Sequence, residues 1–258
     1  MAGLPRAGST MLISLLSQNP RIHGVPISGL CGIFTGIYAN WDKGEFHIET
    51  PNPEAKRAVL SATLGAYHEN AKKPIIIDKN RQWTPHILLL EEILGRKIKI
   101  IVPVRPIVEI LASFEKIRQT HPLELTGADE AIGGGTTIAA RAEYFAAPNG
   151  VLGLAYNATK DAVVAGFLDR LLFVDYNKLM NDPETQLKRI YEFLGEESFK
   201  HDFKNITRPG ESNWRVHKFP GLHDVRHVFE KQSPDAKRIL GDEVYARYNK
   251  EEPWEAWT

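Results

Sequence analysis

Apolar residues along this chain fall into two patterns. Short continuous runs, "PIIID" (residues 74–78), "IKIIVPVR" (98–105) and "LLFVDY" (171–176), are too brief for core helices and predict strands buried on both faces. Between them the apolar positions recur at helical spacing. "STMLISLLSQNP" reads as a helix stopped by Pro20, and "TPHILLLEEILG" as one capped by Thr84, with Pro85 in its first turn and Gly95 after its end. "PIVEILASFEKIRQ" opens on Pro106. "DPETQLKRIYEFLG" has Asp182 as cap, Pro183 in the first turn and Gly195 as terminator, with Leu187, Ile190, Tyr191 and Leu194 on one face. Strand and helix alternate, which predicts an α/β class: a three-layer α/β/α P-loop-type fold around a mainly parallel sheet.

Two segments fit the alternation poorly. Residues 28–52 and 121–153, the latter with glycines at 133, 134 and 135, are rich in glycine and turn formers. Such segments are expected to be irregular and to build a ligand pocket beyond the carboxyl ends of the strands. The last eight residues, "EEPWEAWT", read as a tail, docked or loose. No internal repeat or second domain is visible, so one domain is expected over residues 1–258.

Composition narrows the partners. The chain is 43% apolar, enough for a continuous core, and its 32 basic and 32 acidic residues balance. Nothing in that balance points to nucleic acid or an anionic membrane, so any anion site must be local. A single cysteine, Cys31, rules out an internal disulfide. The start lacks a signal peptide's basic segment and apolar run, and no apolar stretch approaches the roughly 20 residues that cross a bilayer. A cytoplasmic setting is the expectation, with the sequons at Asn157 and Asn205 read as chance.

The opening "MAGLPRAGST" carries the chemistry. Gly3 and Gly8 have the spacing of the phosphate loop G-x-x-x-x-G-K-[ST], but Ser9 stands where that loop needs lysine. In a nucleotide triphosphatase that lysine reaches the β and γ phosphates, and the adjacent hydroxyl holds magnesium. Here the cation is Arg6, inside the loop. Ser9 and Thr10 add hydroxyls to the backbone N–H groups of a helix N-terminus. The loop can cradle an oxyanion and is poorly equipped for magnesium-ATP. Only Met1 and Ala2 precede Gly3, so most of the strand expected before such a loop is absent, and the expectation is either a start further upstream or a domain that tolerates a stub of Met1 and Ala2.

"GLPRAGSTMLISLLSQNP" closely resembles the 5′-phosphosulfate loop of the sulfotransferases that use 3′-phosphoadenosine 5′-phosphosulfate (PAPS). The likeness is greater to tyrosylprotein, Golgi-type, bacterial and viral members than to the cytosolic small-molecule branch. Three more segments follow in the family's order: "IIIDKNRQW", similar to its strand and D-K-N-P turn; "VPVRPIVEILASF", similar to its 3′-phosphate motif of arginine and then serine; and "FVDYNKLMNDPETQLKRIYEFLG", similar to its Y-E-x-L-x-x-D-P…FLG segment. The resemblance spans residues 3–195. It implies a donor site made by Gly3, Pro5, Arg6, Ala7, Gly8, Ser9 and Thr10 around the phosphosulfate, Arg105 and Ser113 at the 3′-phosphate, and Tyr176 near adenine. Lys79, just after its strand, can reach the bridging oxygen between sulfuryl and phosphate, so Arg6 and Lys79 are the leading catalytic candidates. The alternative for Lys79 is a loop lysine paired with Asp78.

The base is where the match fails. The tyrosylprotein branch has a glutamate after the loop helix where this chain has Ile27, and the cytosolic branch has a histidine where it has Arg81. His23 is the nearest substitute in sequence, and His86, His47 and Glu49 are further candidates. Beyond residue 195, Ser212, Arg215 and Lys218 are plausible donors to the phosphosulfate, whereas His217, His223 and His227 suggest no metal site. The resulting expectation is a metal-free sulfotransferase. It would use PAPS, act on a hydroxyl of a small molecule or peptide, and release adenosine 3′,5′-bisphosphate. A P-loop kinase of a small substrate and a non-catalytic nucleotide-binding protein are the alternatives. Trp41, Tyr38, Trp83 and Phe46 are candidates for an apolar acceptor pocket.

Overall fold

The computed structural model describes residues 1–44, 48–121, 123, 127–131, 137–209, 227–231, 235–250 and 252–256. Its strands are β1 (Ile22–Val25), β2 (Ile75–Asp78), β3 (Ile100–Val104) and β4 (Leu171–Asp175). They form two parallel pairs, β1 with β2 and β3 with β4. Residues 1–4 join the pairs. On one side Ala2 and Leu4 donate backbone bonds to the carbonyls of Ile101 and Pro103, at 3.0 and 2.9 Å. On the other, the Met1 amino group donates to the Asp78 carbonyl at 2.7 Å and the Asn80 N–H to the Met1 carbonyl at 3.1 Å. The order is therefore β1, β2, residues 1–4, β3, β4, all parallel, with the phosphate-type loop leaving from the centre.

The three layers follow from side-chain alternation. Ile100, Val102 and Val104 of β3, with Leu171 and Phe173 of β4 and Ala2 and Leu4, enter one core. Ile101, Val174, Ile22, Ile77 and Met1 enter the other. Every residue of β3 is buried, as a parallel strand covered on both faces must be. The first core is roofed by α2 (Leu30–Asn40), α3 (Pro53–Tyr67), α4 (Ile87–Leu94), α5 (Ile107–Thr120), α7 (Ile138–Ala146) and α8 (Val151–Val164). The second is roofed by α1 (Ser9–Leu16), α9 (Tyr176–Asn181) and α10 (Pro183–Leu194). Among the described residues, further short α-helices are α6 (Gly127–Ala131), α11 (Ala236–Leu240) and α12 (Asp242–Tyr248).

Several expectations need correction. Thr84 caps nothing: the chain enters a 3-10 turn at Arg81–His86, capped by Asn80, whose side chain accepts from the Gln82 N–H, and α4 begins only at Ile87. Of residues 28–52, the described parts are largely helical, because Leu30, Cys31 and Phe34 bury one side of α2 and Asn52 caps α3. Of residues 121–153, the described parts are also largely helical, with Thr137 capping α7. The glycine triplet lies outside the described residues. Glycine content misled in both places because tertiary burial of one helix face outweighs intrinsic propensity. Asp182 and Gly195 bound α10 as expected, Gly195 at φ 78°. The tail is docked: Trp254 is buried and the Glu252 carboxylate accepts from the Ile107 N–H at 2.7 Å.

Gly3 is required by the central pairing. A Cβ there would stand 2.4 Å from the Pro103 carbonyl oxygen and 2.7 Å from its ring Cδ. Gly3→Ala is therefore expected to destabilise the fold by about 1–3 kcal/mol, as overpacking against backbone does. Thermal melting checks this, and a melting point equal to wild type would show that the two sheet halves can part to admit a methyl group.

Candidate active site

The loop that follows residues 1–4 turns sharply. Arg6 is left-handed at φ 58° and Gly8 at φ 78°. Gly8 serves this conformation and also sits against an aromatic ring, since a Cβ on it would lie 2.9 Å from Cδ2 of Tyr176. Arg6 has no glycine's freedom, so its conformation must be held from outside. Helix α1 begins directly afterwards with no side-chain cap and no acidic residue in its first turn. Among the described hydrogen bonds none uses the backbone N–H groups of Ala7, Gly8, Ser9 or Thr10. A left-handed turn feeding an uncapped helix start is a concave set of N–H donors, which suits an anion.

Two cations converge on this concavity. The Arg6 Nε donates to Ser113 Oγ at 3.1 Å, so the loop is tied to the middle of α5. Lys79 arrives from the end of β2, and its Nζ donates to Thr10 Oγ1 at 3.1 Å. Asp78 does not pair with it. One Asp78 oxygen accepts from Trp83 Nε1 at 2.6 Å and the other lies 3.2 Å from His68 Nε2. The turn after β2 is locked by bonds from the Lys79 N–H to the Val25 carbonyl and from Asn80 Nδ2 to the Ser28 carbonyl. Burial first, and then the positive charges of Arg81, Arg208 and Arg6, push the Lys79 ammonium down to about 7. Arg81 and Arg208 thus belong to the charged surroundings of the loop. Arg208 lies 129 positions after Lys79 and follows no local pattern, which is why the sequence does not single it out.

On the opposite flank, Arg105 directly follows β3 and is 3% exposed. Its Nη1 donates to the Arg6 carbonyl at 3.1 Å, its Nε to Glu109 at 2.9 Å, and its guanidinium lies 4.1 Å from the centre of the Tyr176 ring. The structure thus brings together Gly3, Pro5, Arg6, Ala7, Gly8, Ser9, Thr10, Lys79, Arg105, Ser113 and Tyr176. It does not bring His23 to them. That histidine sits mid-β1 with its ring 6.3 Å from that of His68, and burial, His68 and Lys73 lower its pKa. His86 ends the 3-10 turn before α4, and Glu49 is exposed. Trp83 is a core residue packed on Phe34, and Tyr38 lies under the Lys56 ammonium. Ser212, Arg215, Lys218, His217, His223, His47 and Phe46 lie outside the described residues. His227 Nδ1 lies 3.3 Å from the Ile206 carbonyl.

Comparison with known proteins shows the family. The family model described as "Sulfotransferase family" matches residues 1–201. The chain belongs to the sulfotransferase family. The sulfotransferase domain from the curacin biosynthetic pathway shares the fold, with a TM-score of 0.53 and 15% identity over 100% of this chain and 95% of that one. The sulfotransferase domain from the Synechococcus PCC 7002 olefin synthase gives a TM-score of 0.48 and 22% identity, over 98% and 94% of the two chains. A sulfotransferase from Alicyclobacillus acidocaldarius gives 0.47 and 13%, over 100% and 96%. No curated protein matches the chain. Among the described residues no helix is long and apolar enough to cross a membrane.

The depressed Lys79 has a measurable consequence. Its folded pKa of about 7 lies below the unfolded value. Between the two, the unfolded chain binds the extra proton, so this group's contribution to stability grows as pH rises. Lys79→Met should be more stable than wild type at pH 7, by about 1 kcal/mol once water around the half-buried ammonium is allowed for, and the gap should narrow by about half at pH 9. Melting curves at the two pH values check this, and a less stable variant at pH 7 would contradict it.

Proposed function

We propose that the chain transfers a sulfuryl group from PAPS to the hydroxyl of a small-molecule or peptide acceptor. The products are a sulfate ester and adenosine 3′,5′-bisphosphate. One observation carries this reading: the Lys79 ammonium is hydrogen-bonded to Thr10 Oγ1, the hydroxyl that holds magnesium in a triphosphate loop. A fixed ammonium there repels a divalent cation and suits a metal-free anion, which disfavours the kinase alternative.

The donor supplies the sulfuryl group and, in its 5′-phosphate, the leaving group. The N–H groups from Ala7 to Thr10 would hold the phosphosulfate oxygens. Lys79 and Arg6 would stabilise the charge that collects on the phosphate oxygen as its bond to sulfur breaks and the acceptor oxygen bonds to sulfur in line. Arg105, Ser113 and Tyr176 form the flank suited to the 3′-phosphate and adenine, with an arginine at a strand end and an aromatic face beside it. His23 is given no part, because its ring lies beside that of His68 and the charges acting on it are those of His68 and Lys73.

Adenosine 3′,5′-bisphosphate at a hundred times its dissociation constant should stabilise the protein by about 2.7 kcal/mol, while magnesium-ATP should give little. The reverse ranking would overturn the proposal, and a shift without sulfuryl transfer to any acceptor would leave a binding protein. Arg105→Ala should lose much of the shift.

The affinity should also depend on pH. A bound anion raises the pKa of Lys79 from its free value of about 7, so binding takes up a proton above that pH. The dissociation constant should therefore rise as pH increases from 7, by up to about tenfold per unit, and Lys79→Met should flatten that slope. Calorimetric titration from pH 6 to 9 measures it.

A further inference from the structure

The carbonyl of Arg6 is the point at which its left-handed backbone is gripped from outside, and the grip is a chain of three side chains. Arg105 donates from Nη1 to that carbonyl at 3.1 Å. Glu109, one turn into α5, fixes the guanidinium by accepting from Arg105 Nε at 2.9 Å through Oε2. Its other oxygen, Oε1, accepts from Asn177 Nδ2 of α9 at 3.1 Å. The Arg105 side chain is 4% exposed and that of Glu109 19%, so the pair works with little competition from water. Tyr176, next to Asn177, supports Arg105 from below and touches Gly8 from the side.

We infer that Glu109 is a positioning residue for sulfuryl transfer: by orienting Arg105 against the Arg6 carbonyl, and being oriented itself by Asn177, it holds the loop in its anion-binding conformation. The inference rests on the proposed donor site. Glu109 takes no part in the chemistry and touches no reacting atom. Its carboxylate leaves the Arg105 guanidinium with one orientation out of many. That orientation carries Arg6 with it, whose backbone would otherwise relax from φ 58° toward the negative region that non-glycine residues favour. Anion affinity is then a matter of preorganisation, and removing the support weakens binding without removing a single donor to the ligand.

The test is calorimetric titration of the full chain with adenosine 3′,5′-bisphosphate and, in parallel, with inorganic sulfate, well below the melting temperature. Glu109→Ala should bind both about tenfold or more weakly than wild type, the range typical of losing a supporting partner. Glu109→Gln should recover most of the loss. Its amide oxygen can still accept from Arg105, and its amide nitrogen can donate to Asn177 Oδ1, which is buried without a partner. Should Glu109→Ala not fold, Asn177→Ala, which removes the donor to Glu109 Oε1 and no donor to the ligand, is expected to weaken binding of both in the same direction. Variant affinities equal to wild type would overturn the inference by reducing Glu109 to a fold contact. Tighter binding would overturn it as well, because Glu109 would then compete with the ligand for Arg105. If wild type binds sulfate and not the nucleotide, the donor assignment falls and this inference is decided on sulfate. Binding of neither refutes both.

Discussion

Residues 1–4 hold the two halves of the sheet together, and the site depends on that contact. Their bonds to Ile101 and Pro103 on one side and to Asp78 and Asn80 on the other make a single parallel sheet from two strand pairs. The approach is so close that position 3 admits no side chain. Because the loop leaves from the middle of the sheet, the ends of β2 and β3 flank it, and each delivers one basic residue, Lys79 and Arg105. A parallel sheet gathers its carboxyl ends on one edge, so three segments far apart in sequence reach one concavity without further machinery.

The two flanks of that concavity are built on opposite electrostatic principles. Arg105 is compensated by Glu109 and held by hydrogen bonds on two of its nitrogens, so it is a fixed part of the scaffold. Lys79 has a neutral hydroxyl as its hydrogen-bond partner and is surrounded by the like charges of Arg6, Arg81 and Arg208. One cation stabilises the loop, while the other is held at an energetic disadvantage that an anion relieves. Keeping the acidic partner on the scaffold side leaves the positive potential of the loop undiminished, a local sacrifice of stability of the kind functional sites make.

The limits of local pattern show in particular residues. The cap and terminator of α10 were readable because Asp182 and Gly195 act on their own helix within one turn. Thr84 does not act as a cap because Asn80, four residues earlier, captures the chain first and starts a 3-10 turn, a competition that sequence preference alone does not rank. The glycines in α2 suggested a loop, yet Leu30, Cys31 and Phe34 on its buried side outweighed them. Likewise "IHGV" is too short and too mixed to announce β1. It is a strand because β2 offers it a partner in register, Ile22 beside Ile75 and Gly24 beside Ile77.

What the sequence determined by itself was whatever depends on near neighbours: the alternation that makes an α/β fold, the phosphate-type loop with Arg6 in place of a lysine at position 9, and the spacing of Arg105 and Ser113. Only the tertiary structure decided how those groups act. Ser113 receives the Arg6 guanidinium, Asp78 turns to His68 and Trp83 and leaves Lys79 to Thr10, and Glu109 and Arg208 join a site to which no motif assigned them. The reason is physical. A hydrogen bond or a charge acts over a few ångströms in space, and here it joins groups as far apart along the chain as Lys79 and Arg208, separated by 129 positions.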